Sequence, residues 1–346
     1  MTSLRYPPKP KPGDRVAVVS PSAGLPALFP HVYELGLRRL REEFGLEPVE
    51  YPTTRVSGAD PRDRARDLTA AFADPSVTAV LATIGGDDLV TVTPHVDDEV
   101  LRANPKPYFG YSDNTNVLNH LHRLGIVSYH GGSVLVHLGR PGRLHPLTTD
   151  SLRAALFTTG WYDLTPATEW GDEPGDWNDP SSLTQEPLMV SGAGWRWQGR
   201  SAVVEGPAWG GNLEVLNWLL AADRVAPVAD LAGSVFVLET SEELPSATEV
   251  FRILRNLGER GLLGTFPAVL VGRAKAWHFD KPLSPAEKEV YAAEQRDAVT
   301  RALAAYNPEA VVVFDVDLGH TDPQVVVPYG GTVRVDGAQR RISVRY

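Results

Sequence analysis

Lys106-Pro-Tyr-Phe-Gly-Tyr-Ser-Asp-Asn-Thr-Asn116 carries a serine at the junction of a predicted strand and a predicted helix. It begins as a short extended run and passes directly into helix-forming sequence, Val117-Leu-Asn-His-Leu-His-Arg-Leu-Gly125. A small residue, Gly110, stands two before Ser112, where a tight strand-to-helix turn wants one. Such a turn holds a serine Oγ at the top of a sheet, close to the N–H groups that open the following helix. The match to Gly-x-Ser-x-Gly is incomplete, because Asn114 takes the place of the last glycine. Spacing alone leaves two readings open: a catalytic Ser112, or a Ser/Asp/Asn cluster that only caps a helix.

The chain on either side of this turn alternates strand and helix. Upstream, Arg15-Val-Ala-Val-Val-Ser20 reads as a buried strand, Tyr33, Leu37, Leu40 and Phe44 recur at helical spacing, and a short strand follows near Pro48–Tyr51. Asp60-Pro61 offers an N-cap with proline at the first helical position, opening a helix to about Ala73. Val77-Thr-Ala-Val-Leu-Ala-Thr-Ile84 is the next strand and runs into Gly85-Gly86-Asp87-Asp88. Nearly continuous apolar strands separated by helices predict a parallel sheet covered on both faces. Downstream, Gly139 to Gly199 changes character, with many Trp, acidic, Pro and Gly residues and little periodicity. Seven of the eight tryptophans lie between Trp161 and Trp218, so the region reads either as a lid or pocket wall, or as a connection pinned to the surface by its rings. Regular structure then resumes. Leu213 to Ala222 is predicted helical, Ser234–Glu239, Phe266–Gly272 and Ala310–Phe314 are predicted strands, and Ser284-Pro-Ala-Glu287 carries a capping box for a helix to about Tyr306. The chain closes in a hairpin whose turn signal is Asp336-Gly337.

Composition narrows the function. The formal net charge of −10, with no basic block, argues against nucleic acid or an anionic membrane as partner. The absence of cysteine excludes thiol nucleophiles, disulfides and thiolate zinc sites. No apolar run reaches the roughly 18 residues a membrane helix needs, and the start of the chain has no signal-peptide core, so a cytoplasmic protein is expected. No metal or other cofactor is expected either. His120 and His122 stand i,i+2 on a predicted helix and face different ways, there is no His-Glu-x-x-His, and no Gly-x-Gly-x-x-Gly occupies a strand–helix junction. Three polar residues remain conspicuous by position. Ser112 follows one strand, Glu239 ends another, and His320 sits in a loop after a third. A serine needs a base within reach and a base needs an orienting carboxylate, but distance along the chain cannot say whether these three meet.

Five segments in order add what spacing cannot. Thr83-Ile-Gly-Gly-Asp-Asp88, Phe109-Gly-Tyr-Ser-Asp-Asn-Thr115, Gly210-Gly-Asn-Leu-Glu214, Leu238-Glu-Thr240 and Gly319-His-Thr-Asp-Pro323 together resemble the LD-carboxypeptidase family of serine peptidases. The likeness covers nearly the whole chain. It implies an α/β protein with a Rossmann-like parallel-sheet domain at residues 1–160, a Trp-rich connection at 161–199 and a smaller α/β domain at 200–346. It places the active site in the cleft between the domains and implies a homodimer. By this resemblance Ser112 is the nucleophile, His320 the base and then acid, Glu239 the residue orienting His320, and the N–H groups of Gly86 and Asp113 form the oxyanion hole. Glu169-Trp-Gly-Asp-Glu-Pro-Gly-Asp-Trp-Asn-Asp179 and Gly194-Trp-Arg-Trp197 resemble the Trp-bearing loop of the microcin-immunity branch, in which a tryptophan stacks on the nucleotide base. Trp177 is the expected counterpart here, with Trp170 as the alternative. The implied substrate is a peptidyl- or aminoacyl-nucleotide. The alternatives are a cytoplasmic murein tetrapeptide ending in D-alanine, or simple ligand binding without catalysis. Thr240-Ser-Glu-Glu243 departs from the branch by being acidic where basic character is expected, which argues for a substrate without a phosphate.

Overall fold

The computed structural model describes residues 4–346. Its first half contains β1 (Arg15–Val19), α1 (Pro30–Glu42), β2 (Glu47–Glu50), α2 (Pro61–Ala73), β3 (Val77–Ala82), α3 (Asp98–Ala103), β4 (Tyr108–Gly110), α4 (Thr115–Arg123), β5 (Ser128–His130) and α5 (Pro146–Phe157). The local signals act where the sequence places them. Asp60 caps α2 by accepting from the Arg62 N–H at 2.8 Å, with Pro61 as the first helical residue. Strands β1 to β5 pair in parallel in the order β2-β1-β3-β4-β5. Val16, Ala17, Val80 and Leu81 are wholly buried, as a sheet covered on both faces requires.

The connecting region is more ordered than its lack of periodicity predicts. It supplies β6 (Trp161–Leu164), the small β7 (Glu169–Trp170) and β8 (Val190–Ser191) pair, and β9 (Arg196–Gly199). Short strands of two to four residues fall below what a period-2 pattern can reveal in sequence. Rings and polar atoms hold the segment down: the Trp195 indole N–H donates to Asp317 Oδ2 at 2.9 Å.

The second half adds β10 (Val203–Asn212), α6 (Leu213–Ala221), α7 (Val228–Leu231), β11 (Val235–Glu239), α8 (Ala247–Glu259), β12 (Ala268–Gly272), α9 (Pro285–Tyr306), β13 (Val311–Val316), β14 (Val327–Tyr329), β15 (Thr332–Asp336) and β16 (Arg341–Arg345). The capping box at Ser284 and Glu287 forms, and a second one at Ser246 and Glu249 opens α8. Strands β14-β10-β11-β12-β13 are again parallel neighbours. Strand β9 closes the edge antiparallel to β13, and the antiparallel β5–β14 pair joins the two halves into one hydrogen-bonded sheet. The terminal hairpin differs from the two-residue turn that Asp336-Gly337 suggests. Asp336 pairs with Arg341, and its carboxylate accepts from the Ala338 and Gln339 N–H groups inside a four-residue loop.

Gly210 lets β10 pack against β11, and Gly211 brings β10 against the first half at Thr115. A Cβ on Gly210 would lie 1.9 Å from Val237 O, and one on Gly211 would lie 2.6 Å from Thr115 Oγ1. Only bare backbone fits there. The adjoining Asn212 N–H donates to Thr115 Oγ1 at 3.1 Å, so the end of β10 is tied to the first residue of α4, directly behind Ser112.

Candidate active site

Ser112 has φ of 61°, a left-handed conformation that costs a non-glycine residue on the order of 1–2 kcal/mol. Tyr111 before it is extended, and a short 3-10 turn, Ser112–Asn114, leads into α4. The Ser112 side chain caps nothing, so the alternative of a merely capping cluster does not account for it. Asn114, the departure from the glycine pattern, acts as a cross-link. Its Oδ1 accepts from Tyr108 OH at 2.6 Å, and its Nδ2 donates to Ile84 O and Tyr111 O, both at 3.1 Å. A side chain that fastens β4, the turn and the end of β3 replaces the close backbone approach a glycine would have given.

Gly85 is a contact that the sequence reading missed. A Cβ there would fall 2.8 Å from both Cβ and Oγ of Ser112. The doubled glycine at the end of β3 was the available signal. Gly86 lies one residue further along, and its N–H donates to no backbone carbonyl among the described residues.

Glu239 ends β11 and is 1 % exposed; a Cβ on Gly272 or Gly319 would press on its side chain. Its Oε2 accepts from His320 Nδ1 at 2.5 Å, while Oε1 is buried without a partner. The tautomer this implies leaves Nε2 as the reactive nitrogen. Burial alone would lower the His320 pKa; the Glu239 carboxylate outweighs it and, with Glu242, holds the imidazole above its ordinary value. The structure thus unites Glu239 and His320, which lie 81 residues apart.

Ser112 joins them through its neighbour rather than by a bond of its own. The Tyr111 ring lies 4.8 Å from the His320 ring and 5.2 Å from that of His137, and His130 Nε2 donates to Leu318 O at 2.9 Å. No hydrogen bond links Ser112 Oγ to His320 among the described residues. His320 Nε2 instead lies 3.7 Å from Glu242 Oε2. Catalytic hydrogen bonds are often long before substrate arrives.

A pocket of about 470 Å³, counting space open to solvent, borders His320 and is lined also by His137, Arg140, Trp177, Lys275 and Asp322. Trp177 is half-buried, with its ring edge-on to Phe29 at 5.4 Å. Trp170 is engaged elsewhere, under the Arg273 guanidinium at 4.9 Å. The Trp-bearing segment is stitched to the His320 loop by paired backbone bonds between Gly171 and Asp322, at 2.7 and 2.8 Å. Arg140 Nε donates to Asp322 Oδ2 at 2.7 Å. Lys275 is buried and donates to His320 O at 3.3 Å; burial lowers its pKa, against the pull of Glu242, Asp172 and Asp322. The Glu242 carboxyl, which burial would raise, is brought below its usual range by His320 and Lys275. No group of three metal-ligating side chains converges among the described residues.

Sequence comparison meets this geometry. The model of the LD-carboxypeptidase N-terminal domain matches residues 16–131, and that of the C-terminal domain matches residues 205–335. The chain belongs to the LD-carboxypeptidase family. As a member it is a serine carboxypeptidase-type hydrolase. A Streptomyces coelicolor protein whose name marks it as a candidate carboxypeptidase is 38% identical over 348 residues, 97% of this chain and 94% of that protein. The murein tetrapeptide carboxypeptidase of Pseudomonas aeruginosa is 27% identical over 94% of both chains. The microcin C7 self-immunity protein MccF of Escherichia coli is 25% identical over 82% of this chain and 78% of its own length. The fold of MccF, solved in complex with glutamyl sulfamoyl guanosine, superimposes with a TM-score of 0.84 at 22% identity, covering 98% of each chain. Among the described residues, no helix is long and apolar enough to cross a membrane.

The Glu242 contact makes a prediction about pH. A general base must be neutral to accept a proton, and the Glu242 charge favours the imidazolium. Glu242→Gln therefore lets His320 lose its proton at lower pH. The acid limb of kcat/KM is expected to move to lower pH, by a modest amount because the carboxylate is half exposed and screened. A pH–rate profile on both proteins checks this, and an unmoved or raised limb would contradict it.

Proposed function

We propose that this hydrolase cleaves the amide of a peptidyl- or aminoacyl-nucleotide by a Ser112–His320–Glu239 triad. The observation carrying the reading is the buried Glu239–His320 pair, whose imidazole lies 4.8 Å from the ring of Tyr111, the residue before a left-handed Ser112 at a strand–helix turn. Ser112 Oγ attacks the amide carbonyl and gives its proton to His320 Nε2. Glu239 stabilises the imidazolium as it forms. The alkoxide rests on the N–H groups of Gly86 and Asp113, each worth on the order of 3 kcal/mol when aimed at the developing charge. His320 then protonates the leaving amine, and water, deprotonated by the same imidazole, releases the acyl group. A two-domain arrangement with boundaries near 160 and 200, and a homodimer, belong to the same proposal.

Trp177, on the pocket wall shared with His320, is the proposed stacking platform for the base. Stacking on an aromatic face is worth roughly 1–3 kcal/mol per base. Trp177→Ala is accordingly expected to raise KM for a nucleotide-bearing amide by about tenfold, and to leave KM for a tetrapeptide ending in D-alanine nearly unchanged. Equal effects on both substrates would reduce Trp177 to packing on Phe29.

Glu242 beside His320 favours a second reading, removal of D-alanine from a murein tetrapeptide, because a carboxylate there repels a phosphate. A hydrolysis panel of aspartyl-sulfamoyl adenosine against such a tetrapeptide decides between the two. Turnover of the tetrapeptide alone would overturn the nucleotide reading, and turnover of neither would remove both.

A further inference from the structure

Asp113 carries more than an N–H group. Its carboxyl is wholly buried and fully engaged. Oδ2 accepts from Ser22 Oγ at 2.5 Å and from the Leu89 N–H at 2.9 Å, and Oδ1 accepts from Asn116 Nδ2 at 2.8 Å. These partners come from three segments: the loop after β1, the turn that follows Gly85-Gly86-Asp87-Asp88, and the first turn of α4.

A second buried group holds the same loops from outside. Arg64 of α2, 5 % exposed, donates Nη1 to Ser22 O at 3.0 Å and to Pro21 O at 3.2 Å. Both of its terminal nitrogens also reach the Asp88 carboxylate at 2.7 Å. The Ala23 N–H closes the set on Gly85 O at 3.1 Å. The two glycines fit between. A Cβ on Gly86 would lie 2.3 Å from Ser22 Oγ, as one on Gly85 would lie 2.8 Å from Ser112 Oγ. The backbone carrying the Gly86 N–H is therefore clamped between Ser22 and Ser112.

We propose that the Asp113 carboxylate, acting through Ser22 and backed by the Arg64–Asp88 pair, is the positioning device that fixes the Gly86 N–H relative to the Asp113 N–H. The inference rests on Ser112 being the nucleophile. An oxyanion hole assembled from two segments stabilises charge only if both donors are in place before it develops, and a misplacement of about 1 Å can cost a hundredfold. Charge-assisted hydrogen bonds suit that task, being roughly twice as strong as neutral ones. The arrangement has a thermodynamic cost. Burial pushes the Asp113 carboxyl up to about 6, the Ser22 and Leu89 donors hold it down, and Asp88 and Asp87 raise it further. Tyr108, on β4, is the other titratable group facing it. Since the folded-state pKa lies above the ordinary carboxylate value, the charged group weakens the fold above about pH 6, and this penalty is relieved as pH falls toward that ordinary value.

The test is the kinetics of labelling by a fluorophosphonate, which forms a bond from Ser112 Oγ to phosphorus as fluoride leaves and sets its P=O oxygen in the oxyanion hole. Asp113→Asn and Ser22→Ala are each expected to lower the limiting labelling rate constant about tenfold or more, with the half-saturating probe concentration unchanged within about twofold. The labelled fraction at completion should stay at that of wild type. A merely structural brace predicts the opposite: a smaller labelled fraction whose folded molecules react at the wild-type rate. That result, or wild-type rates in the two variants, overturns the proposal. If Asp113→Asn does not fold, Ser22→Ala decides alone. Failure of the wild-type protein itself to label would instead remove Ser112 as nucleophile, and the positioning role with it.

Discussion

Ser112→Ala is expected to lower kcat by at least about a thousandfold while leaving the fold intact, since binding and the oxyanion hole retain only residual catalysis. Stability should hardly change. Alanine, like serine, has a Cβ and meets the same backbone cost at φ of 61°, and the lost hydroxyl caps no helix. The measurement is single-turnover hydrolysis of whichever substrate the panel identifies, with melting temperature on the same preparation. Activity within tenfold of wild type would take Ser112 out of the mechanism. A loss of activity matched by a loss of melting temperature would mean that the turn, not the nucleophile, had been removed.

Glu239→Gln has the second largest expected effect, a fall in kcat of about a hundredfold or more with KM nearly unchanged. The geometry makes this a clean removal of charge. Oε2 faces His320, whereas Oε1 is unpartnered and Glu239 also borders a cavity shared with Gln295 and Asp315. A glutamine can keep its oxygen on the imidazole N–H and turn its amide away from the imidazole. What it cannot supply is the negative charge that stabilises the imidazolium in the transition state. The His320 pKa should fall as well, moving the acid limb to lower pH while the plateau drops. Double replacement with His320→Ala should cost little more than His320→Ala alone, because the two act as a unit. If the pair were only a buried ion pair, breaking it would cost about 3–5 kcal/mol of stability and spare the activity of each folded molecule. A destabilised but fully active Glu239→Gln protein would therefore end the triad assignment.

Much of the framework was legible because it is local. The strands β1, β3, β11 and β13 announce themselves as continuous apolar runs, and the caps at Asp60 and Ser284 sit where their helices begin. The region from Gly139 to Gly199 was not legible, since its short strands gain their order from partners distant in sequence: β6 from β16, and β9 from β13. The turn at Asp336-Gly337 misled for a related reason. The dipeptide favours a two-residue turn, but the Asp336 side chain caps a longer loop.

At the site, the order of residues already supplies the groups: a serine between a strand and a helix, a glutamate ending an apolar strand, a histidine in a loop, and a doubled glycine after β3. Backbone preference and hydrophobic pattern act over a few residues, and that range suffices to place each group at the end of its own element. Which of these groups meet is set by packing between distant segments. Glu239 reaches His320 because Gly272 and Gly319 leave room around it, and the Tyr111 ring, next to Ser112, meets an imidazole that is distant along the chain. The same packing decides that Glu242 faces His320 Nε2, that Asn114 is a cross-link, and that Asp113 is buried among three loops. These are contacts between segments distant along the chain, made when the packed sheet brings its strand ends together; no periodicity in the sequence encodes them.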